Sequence, residues 1–325
     1  MRSLNSANGL FYILLCALML SWPVNAAGNV VGDVDGDGKA GIGDVTMLID
    51  RLLSPADTES AMVCDVDGDG MVSIADVTFL IDLLLAPTSP EMQNVTFTIN
   101  GVDITMVFVE GGTFKMGCTP EQWPDVFRNE GPVHEVTVWS YYIAQTEVTQ
   151  ELWEAVMGSN PSQFAGDRQR PVENVSKFDC ARFVDKLSEI TGKSFRLPTE
   201  AEWEFAARGG INSRTYKYSG SDVVDDVAWY DGISGLTTHA VAMKMPNELG
   251  IYDMSGNVCE WCQDWYSAYT EGSFINPIGP ESGYDNVIRG GSWDYPPSKC
   301  RNAFRSLAEP HSTSPNLGLR VAMNY

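Results

Sequence analysis

FRLPTEAEWEFAARGG, residues 195–210, carries a helix between its own start and stop signals. Thr199-Glu200-Ala201-Glu202 is a capping box: the threonine hydroxyl accepts from the Glu202 amide, and the Glu202 carboxylate accepts from the Thr199 amide. Trp203, Ala206 and Ala207 follow, and Gly209-Gly210 ends the helix. Upstream, Ser176 and Asp179 cap a helix whose apolar face includes Phe178, Ala181, Val184 and Leu187. Glu151 to Met157 is a short helix stopped by Gly158. Val107 to Met116 (VFVEGGTFKM) reads as two strands around a Gly-Gly turn. After residue 210 no long helix is expected. The last third is loops and short strands rich in Trp, Tyr and Gly. Such a domain needs a restraint besides helices and sheets.

The 325 residues allow roughly two domains at about 150 residues each. With 43 Asp+Glu against 21 Lys+Arg, the net charge is −22, which excludes nucleic acid as a partner because a phosphate backbone needs a basic surface. Much of that charge has an address. Residues 33–44 read DVDGDGKAGIGD and residues 65–76 read DVDGDGMVSIAD, a period of 32; residues 28–90 hold 12 acids and two bases, a net of −10. Calcium takes six to eight oxygens from a flexible loop, with ligands at loop positions 1, 3, 5, 7 and 12 and a glycine at position 6. The first loop offers Asp33, Asp35, Asp37, the Lys39 carbonyl and Asp44; the second offers Asp65, Asp67, Asp69, the Met71 carbonyl and Asp76. Gly38 and Gly70 fill position 6. A helix follows each loop, with Val45, Leu48, Ile49, Leu52 and Leu53 on one face, then Val77, Leu80, Ile81, Leu84 and Leu85. Neither stripe can be buried alone, so the two helices are expected to pack together.

Residues 1–27 have the form of a signal peptide: Arg2, an apolar run from Leu10 to Trp22, and small residues near Val24-Asn25-Ala26. The run is short for a bilayer span, and no later segment reaches that length. The expected location is therefore secreted, extracellular or periplasmic, with no transmembrane span after cleavage. Six cysteines follow the signal (Cys64, Cys118, Cys180, Cys259, Cys262 and Cys300), enough for up to three disulfides. Sequence does not fix their pairing. Ala86-Pro-Thr-Ser-Pro90 is a linker, giving a signal peptide at 1–27, a calcium module at 28–86, linker and first strand at 87–104, and a large domain at 105–325.

The duplicated loop–helix resembles a dockerin module over residues 30–86. That resemblance implies two calcium ions, a cohesin-type protein partner and an extracellular, polysaccharide-processing complex. Phe79 and Leu83 lie off the apolar stripe and are candidate partner-interface residues. FRLPTEAEWEFAARGG (195–210), GIYDMSGNVCEWCQDWY (250–266), VIRGGSWD (287–294) and NLGLRVA (316–322) together resemble the formylglycine-generating-enzyme, or sulfatase-modifying-factor, family over about 105–325. The implied fold class is α+β with low regular secondary structure, related to C-type-lectin-like domains and preceded by the small α-helical calcium module. The resemblance also implies one calcium in the large domain, with Asp253 and Glu260 giving carboxylates and Gly256 and Val258 giving carbonyls.

The family's activity is copper-dependent oxidation of a sulfatase cysteine to formylglycine, at two thiols in the third and eighth positions after Gly-Gly-Ser. Here the eighth is Cys300 and the third is Tyr295, a poor ligand for soft Cu(I). Cys259 replaces a family tryptophan. The resemblance makes Cys300 and Ser292 the catalytic candidates, but with one of the two thiols missing. A second thiol would have to come from Cys259 or Cys262; alternatively, Cys262 and Cys300 form a structural disulfide. The favoured expectation is a binding or structural module, with Trp229, Trp261, Trp265 and Trp293 as aromatic faces for a glycan or protein. The alternative is an oxidase acting on a sulfatase polypeptide.

Overall fold

The computed structural model describes Val34, residues 42–53, 73–74, 76–78 and 80, and residues 93–325. The chain forms two compact units, Met1–Glu91 and Met92–Tyr325.

In the first unit, helix α1 spans Ile42–Leu53. Val45 and Leu48 are buried on it while Ile49, expected on the same face, is exposed. Ile74, Asp76, Val77, Thr78 and Leu80 are helical too, with Val77 and Leu80 buried. The position-12 aspartates of both loops are buried. Asp44 Oδ1 accepts from the Val34 amide at 2.6 Å, tying the end of the first loop to its beginning. Asp76 Oδ2 accepts from the Ser73 amide at 2.6 Å. Asp33, Asp35, Asp37, Lys39, Asp65, Asp67, Asp69, Met71, Phe79, Leu83 and Cys64 lie outside the described residues.

In the second unit, hairpin β1 (Val95–Ile99) and β2 (Val102–Val109) leads into a five-stranded antiparallel sheet ordered β1-β2-β5-β14-β6. Here β5 is Tyr141–Ala144, β6 Phe195–Arg196 and β14 Ala322–Asn324. A three-stranded sheet joins β3 (Gly112–Met116), β4 (His134–Val138) and β10 (Ser273–Ile275). A four-stranded sheet, ordered β12-β11-β9-β13, carries the candidate chemistry: β9 Cys259–Trp265, β11 Asn286–Arg289, β12 Arg305–Ala308 and β13 Leu317–Gly318. Short strands β7 (Ala228–Trp229) and β8 (Ser255–Gly256) run parallel beside it.

The helices start and stop where their caps dictate. α2 (Gln150–Met157) ends at Gly158, whose φ of 83° is left-handed and suits glycine. α3 (Lys177–Thr191) begins at the Ser176/Asp179 capping box, and α4 (Glu200–Ala207) at the Thr199/Glu202 box. The buried face of α3 is Cys180, Phe183, Val184 and Leu187. Phe178 and Ala181 are instead exposed, with Phe178 packed on His311 at 4.5 Å between ring centroids. After residue 210 the longest α-helix, α5, is Val224–Val227.

The missing restraint is a set of buried ion pairs. Arg301 forks onto Glu130 at 3.0 and 2.5 Å, and Arg305 onto Glu200 at 2.7 and 2.7 Å. Arg320 grips Glu260 through three bonds of 2.8–3.0 Å, and Arg289 pairs with Glu204. All eight residues are buried. An intact buried pair offsets most of its own desolvation cost, but removing one partner strands a charge and costs roughly 3–5 kcal/mol. Arg301→Met is expected to destabilise the large unit by about that amount. Adding Glu130→Met should recover most of the loss, as read by denaturant melts. A single variant as stable as wild type would contradict the restraint.

Candidate functional site

Two glycines make the site possible. After β11 the chain turns through Gly290 and Gly291, both with left-handed φ (95° and 76°). A Cβ on Gly291 would sit 2.5 Å from the Lys299 carbonyl and 2.9 Å from Cys300 Sγ, so only glycine lets Cys300 pack here. A single 3-10 turn, Pro297–Lys299, delivers Cys300.

Ser292 is fully buried and lies near the Cys259 and Cys300 thiols. Cys300 Sγ donates to the Pro296 carbonyl at 3.8 Å. The Ser292 Oγ donates to Asp294 Oδ1 at 2.7 Å. Asp294 is steadied in turn by Asn316 Nδ2 at 2.9 and 3.1 Å. Burial pushes the Cys300 thiol up to about 12 and raises Cys259 further, so both are neutral thiols at pH 7. Tyr295 is half-buried against the same core. The neighbouring Cys259, and then burial, hold its phenol above the ordinary value. The Lys299 ammonium lies 4.5 Å over its ring.

Cys118, Cys180, Cys259, Cys262 and Cys300 are all free and buried. The Cys262–Cys300 disulfide is therefore not formed. Cys262 packs with Trp203 and Val287, whereas Cys300 packs with Tyr218 and Val227 in a separate cluster. The thiol that comes to the neighbourhood of Cys300 is Cys259.

The residues expected to hold calcium lie on one buried loop, but Glu260 does not fit the role. Both of its oxygens are taken by Arg320, and Oε2 also accepts from Trp203 Nε1 at 2.6 Å. A guanidinium supplies the positive charge the carboxylate needs. Asp253 accepts from the Ala242 amide at 2.7 Å, and burial pushes it up to about 6. Gly256 (φ 81°) lies so close to Trp229 that a Cβ would meet its carbonyl at 2.3 Å. Val258 donates its amide to Glu147 Oε1 at 3.0 Å. Among the described residues no three acidic, histidine or cysteine side chains form a cation cage.

Sequence reasoning missed Glu147. It is buried beneath this loop, takes Asn257 Nδ2 at 2.7 Å as well as Val258, and is raised well above an ordinary carboxylate, first by burial and then by Asp253 and Glu260. A lone acid before a helix carries no periodic signal that could have marked it. The tryptophans proposed as a ligand platform are not open faces. Trp261 is fully buried and donates to the Val175 carbonyl at 3.0 Å; Trp229 stacks on His239 at 3.7 Å; Trp265 and Trp293 are half-buried.

Residues 98–325 match the sequence profile of the sulfatase-modifying factor enzyme 1-like domain, FGE-sulfatase. The chain belongs to this family. Residues 31–85 match the dockerin type I domain, so this family member carries a dockerin ahead of its FGE-sulfatase domain. It is 34% identical over 266 residues to "Chaperone protein LppX" of Paenibacillus barcinonensis, covering 66% of this chain and 88% of that protein. It is 38% identical over 179 residues to the formylglycine-generating enzyme of Streptomyces coelicolor, covering 50% of this chain and 55% of the enzyme. Among solved structures, Treponema denticola variable protein 1 superposes with a TM-score of 0.66 at 34% identity, over 71% of this chain and 99% of that one. The fold is thus the FGE-type α+β fold, mixed and poor in helix. Among the described residues no helix is long and apolar enough to cross a membrane.

Two other buried acids set a pH response. Burial pushes Glu173 up to about 7, and burial with Glu200 pushes Asp264 up to about 7. Glu173 Oε1 accepts from the Phe164 amide at 2.8 Å, while Oε2 has no partner. An acid with a raised folded-state value binds more protons folded than unfolded between about pH 4 and pH 7, so stability falls as pH rises through that window. The melting temperature of the FGE-sulfatase domain is expected to rise on going from pH 8 to pH 6, and Glu173→Gln to flatten the rise. Calorimetry showing stability increasing toward pH 8 would refute this.

Proposed function

We propose that this FGE-sulfatase family member is exported and, through its calcium-loaded dockerin, plugs into a cohesin-type partner. It thereby carries the large domain into an extracellular, polysaccharide-processing assembly as a binding module. The observation that carries the binding reading is Tyr295. A phenol stands where the family has its first copper thiol, and the remaining thiol, Cys300, is fully buried and neutral. Two clefts, of about 460 and 350 Å3, are lined by none of Cys259, Ser292, Tyr295 and Cys300. For the dockerin, the buried Asp44 and Asp76 at position 12 of each loop support two calcium sites.

One observation favours the oxidase as a second reading. At neighbouring positions the chain has exchanged an aromatic and a thiol: Tyr295 replaces a family cysteine, and Cys259 replaces a family tryptophan. Cys259 and Cys300 then lie in one neighbourhood, with Ser292 beside them. Two neighbouring thiols fit soft Cu(I), and these two would hold it. The metal would supply the family's oxidative chemistry; Asp294 would orient the Ser292 hydroxyl.

Titration of the reduced protein with Cu(I) against a chromophoric chelator, with mass spectrometry of a sulfatase-motif peptide, separates the readings. The expected result is no copper-dependent mass change of the peptide cysteine. A mass change abolished by Cys259→Ser would establish the oxidase instead. For the dockerin, chelation with EDTA is expected to open residues 28–90 of the full chain to protease while the large unit stays resistant. Cleavage unchanged by EDTA would remove the calcium assignment.

A further inference from the structure

We infer that the cleft between the β4–β5 turn and β14 is a binding site for a neutral oligosaccharide. The inference rests on the binding-module reading and gives it a ligand class and an address. The cleft has a volume of about 460 Å3, inside the roughly 300–1,000 Å3 range of small-ligand sites. Its walls include Trp139 and Tyr325, which are 71% and 61% exposed, in contrast to the tucked-in tryptophans around β9. A flat, exposed indole is costly to leave in water, and its face matches the apolar C–H face of a pyranose ring.

The polar lining is sorted by charge and by hydrogen-bond sense. Arg196 is already neutralised, forking onto Glu202 at 2.7 and 2.7 Å, so the cleft offers no spare cation to an anionic ligand. The chain's net charge of −22 works against polyanions as well. What remains is a set of amide donors. Asn276 spends its oxygen on the Trp139 amide at 2.7 Å, and its Nδ2 is buried without a partner. Asn324 spends its oxygen on Arg196 Nε at 2.8 Å, which leaves its NH2 turned outward from that bond. Gln263 is exposed on the same cleft and is anchored only by its backbone, N–H to the Pro198 carbonyl at 2.8 Å.

An unpaired buried donor is costly, and a ligand oxygen placed against it would recover that cost. Fixed donors beside an aromatic face suit a ligand with many hydroxyl acceptors, apolar ring faces and no charge. Neutral polysaccharide chains have that chemistry. The anchoring of Trp139 by Asn276 also couples the two halves of the site, because the residue that holds the aromatic wall is the one with the orphan donor.

Native affinity electrophoresis of the full chain tests this, in gels containing mixed-linkage β-glucan, hydroxyethyl cellulose, xylan or galactomannan. The expected result is retardation by at least one of these polymers. Trp139→Ala and Gln263→Ala should each weaken retention at least tenfold with an unchanged melting temperature. Trp123→Ala, which removes an exposed tryptophan outside the cleft, should not weaken it. No retardation by any of the four polymers, or retention that survives Trp139→Ala, overturns the proposal. Failure here leaves the thiol question untouched, because peptide oxidation is read separately and would overturn the binding-module reading whatever the gels show.

Discussion

Four buried arginine–glutamate pairs tie the long loops of the large unit onto its two hydrophobic cores. Sheets of two to five short strands and helices of at most 15 residues bury too little regular backbone to fix the long loops of residues 210–325. Each pair ties a residue of that stretch to one earlier in the chain. Arg301 and Arg305 reach Glu130 and Glu200, Arg289 reaches Glu204 on α4, and Arg320 closes the C-terminal segment on Glu260 of β9. Arg305 adds a face-on contact with Tyr269 at 3.8 Å, and Arg289 one with Trp203 at 5.1 Å. Charges so placed tolerate little rearrangement, since any shift that parts a pair leaves a bare ion in a low-dielectric interior. The Arg320–Glu260 pair also takes up the carboxylate that an ion would otherwise bind.

The candidate site inherits this rigidity. Glu260 is bound one residue after Cys259, and Arg289 is fixed one residue before Gly290-Gly291-Ser292. The strand that carries Cys259 and the turn that carries Ser292 are therefore both pinned by ion pairs. Cys259 and Cys300 lie near Ser292 with no covalent link between them.

What was readable in the sequence was local. Both capping boxes, the glycine stops and the four ordered motifs lie within a few residues of the chain, and the helices form where those signals stand. The buried face of α3 differs from the expected one because Phe178 sits at the second helical position, where it turns outward onto His311; the buried stripe starts at Cys180. The ion pairs were not readable, because their partners lie 60 to 171 residues apart and an isolated Arg or Glu looks like surface. The same holds for Glu147, 110 residues from the asparagine it binds. The thiol site was half legible: Tyr295 and Cys259 each stand out as departures from the family's motif, but only the fold makes them neighbours.

The order of the paired residues along the chain has a kinetic consequence. All four glutamates, at 130, 200, 204 and 260, precede all four arginines, at 289, 301, 305 and 320. Until the arginines arrive, Glu130, Glu200 and Glu260 lack their arginine partners and Glu204 has only Arg208, four residues on, so the partly made chain gains little by collapsing around them. Closing loops of this length adds an entropic delay. The ion-pair network of this domain therefore closes only once its C-terminal arginines are in place.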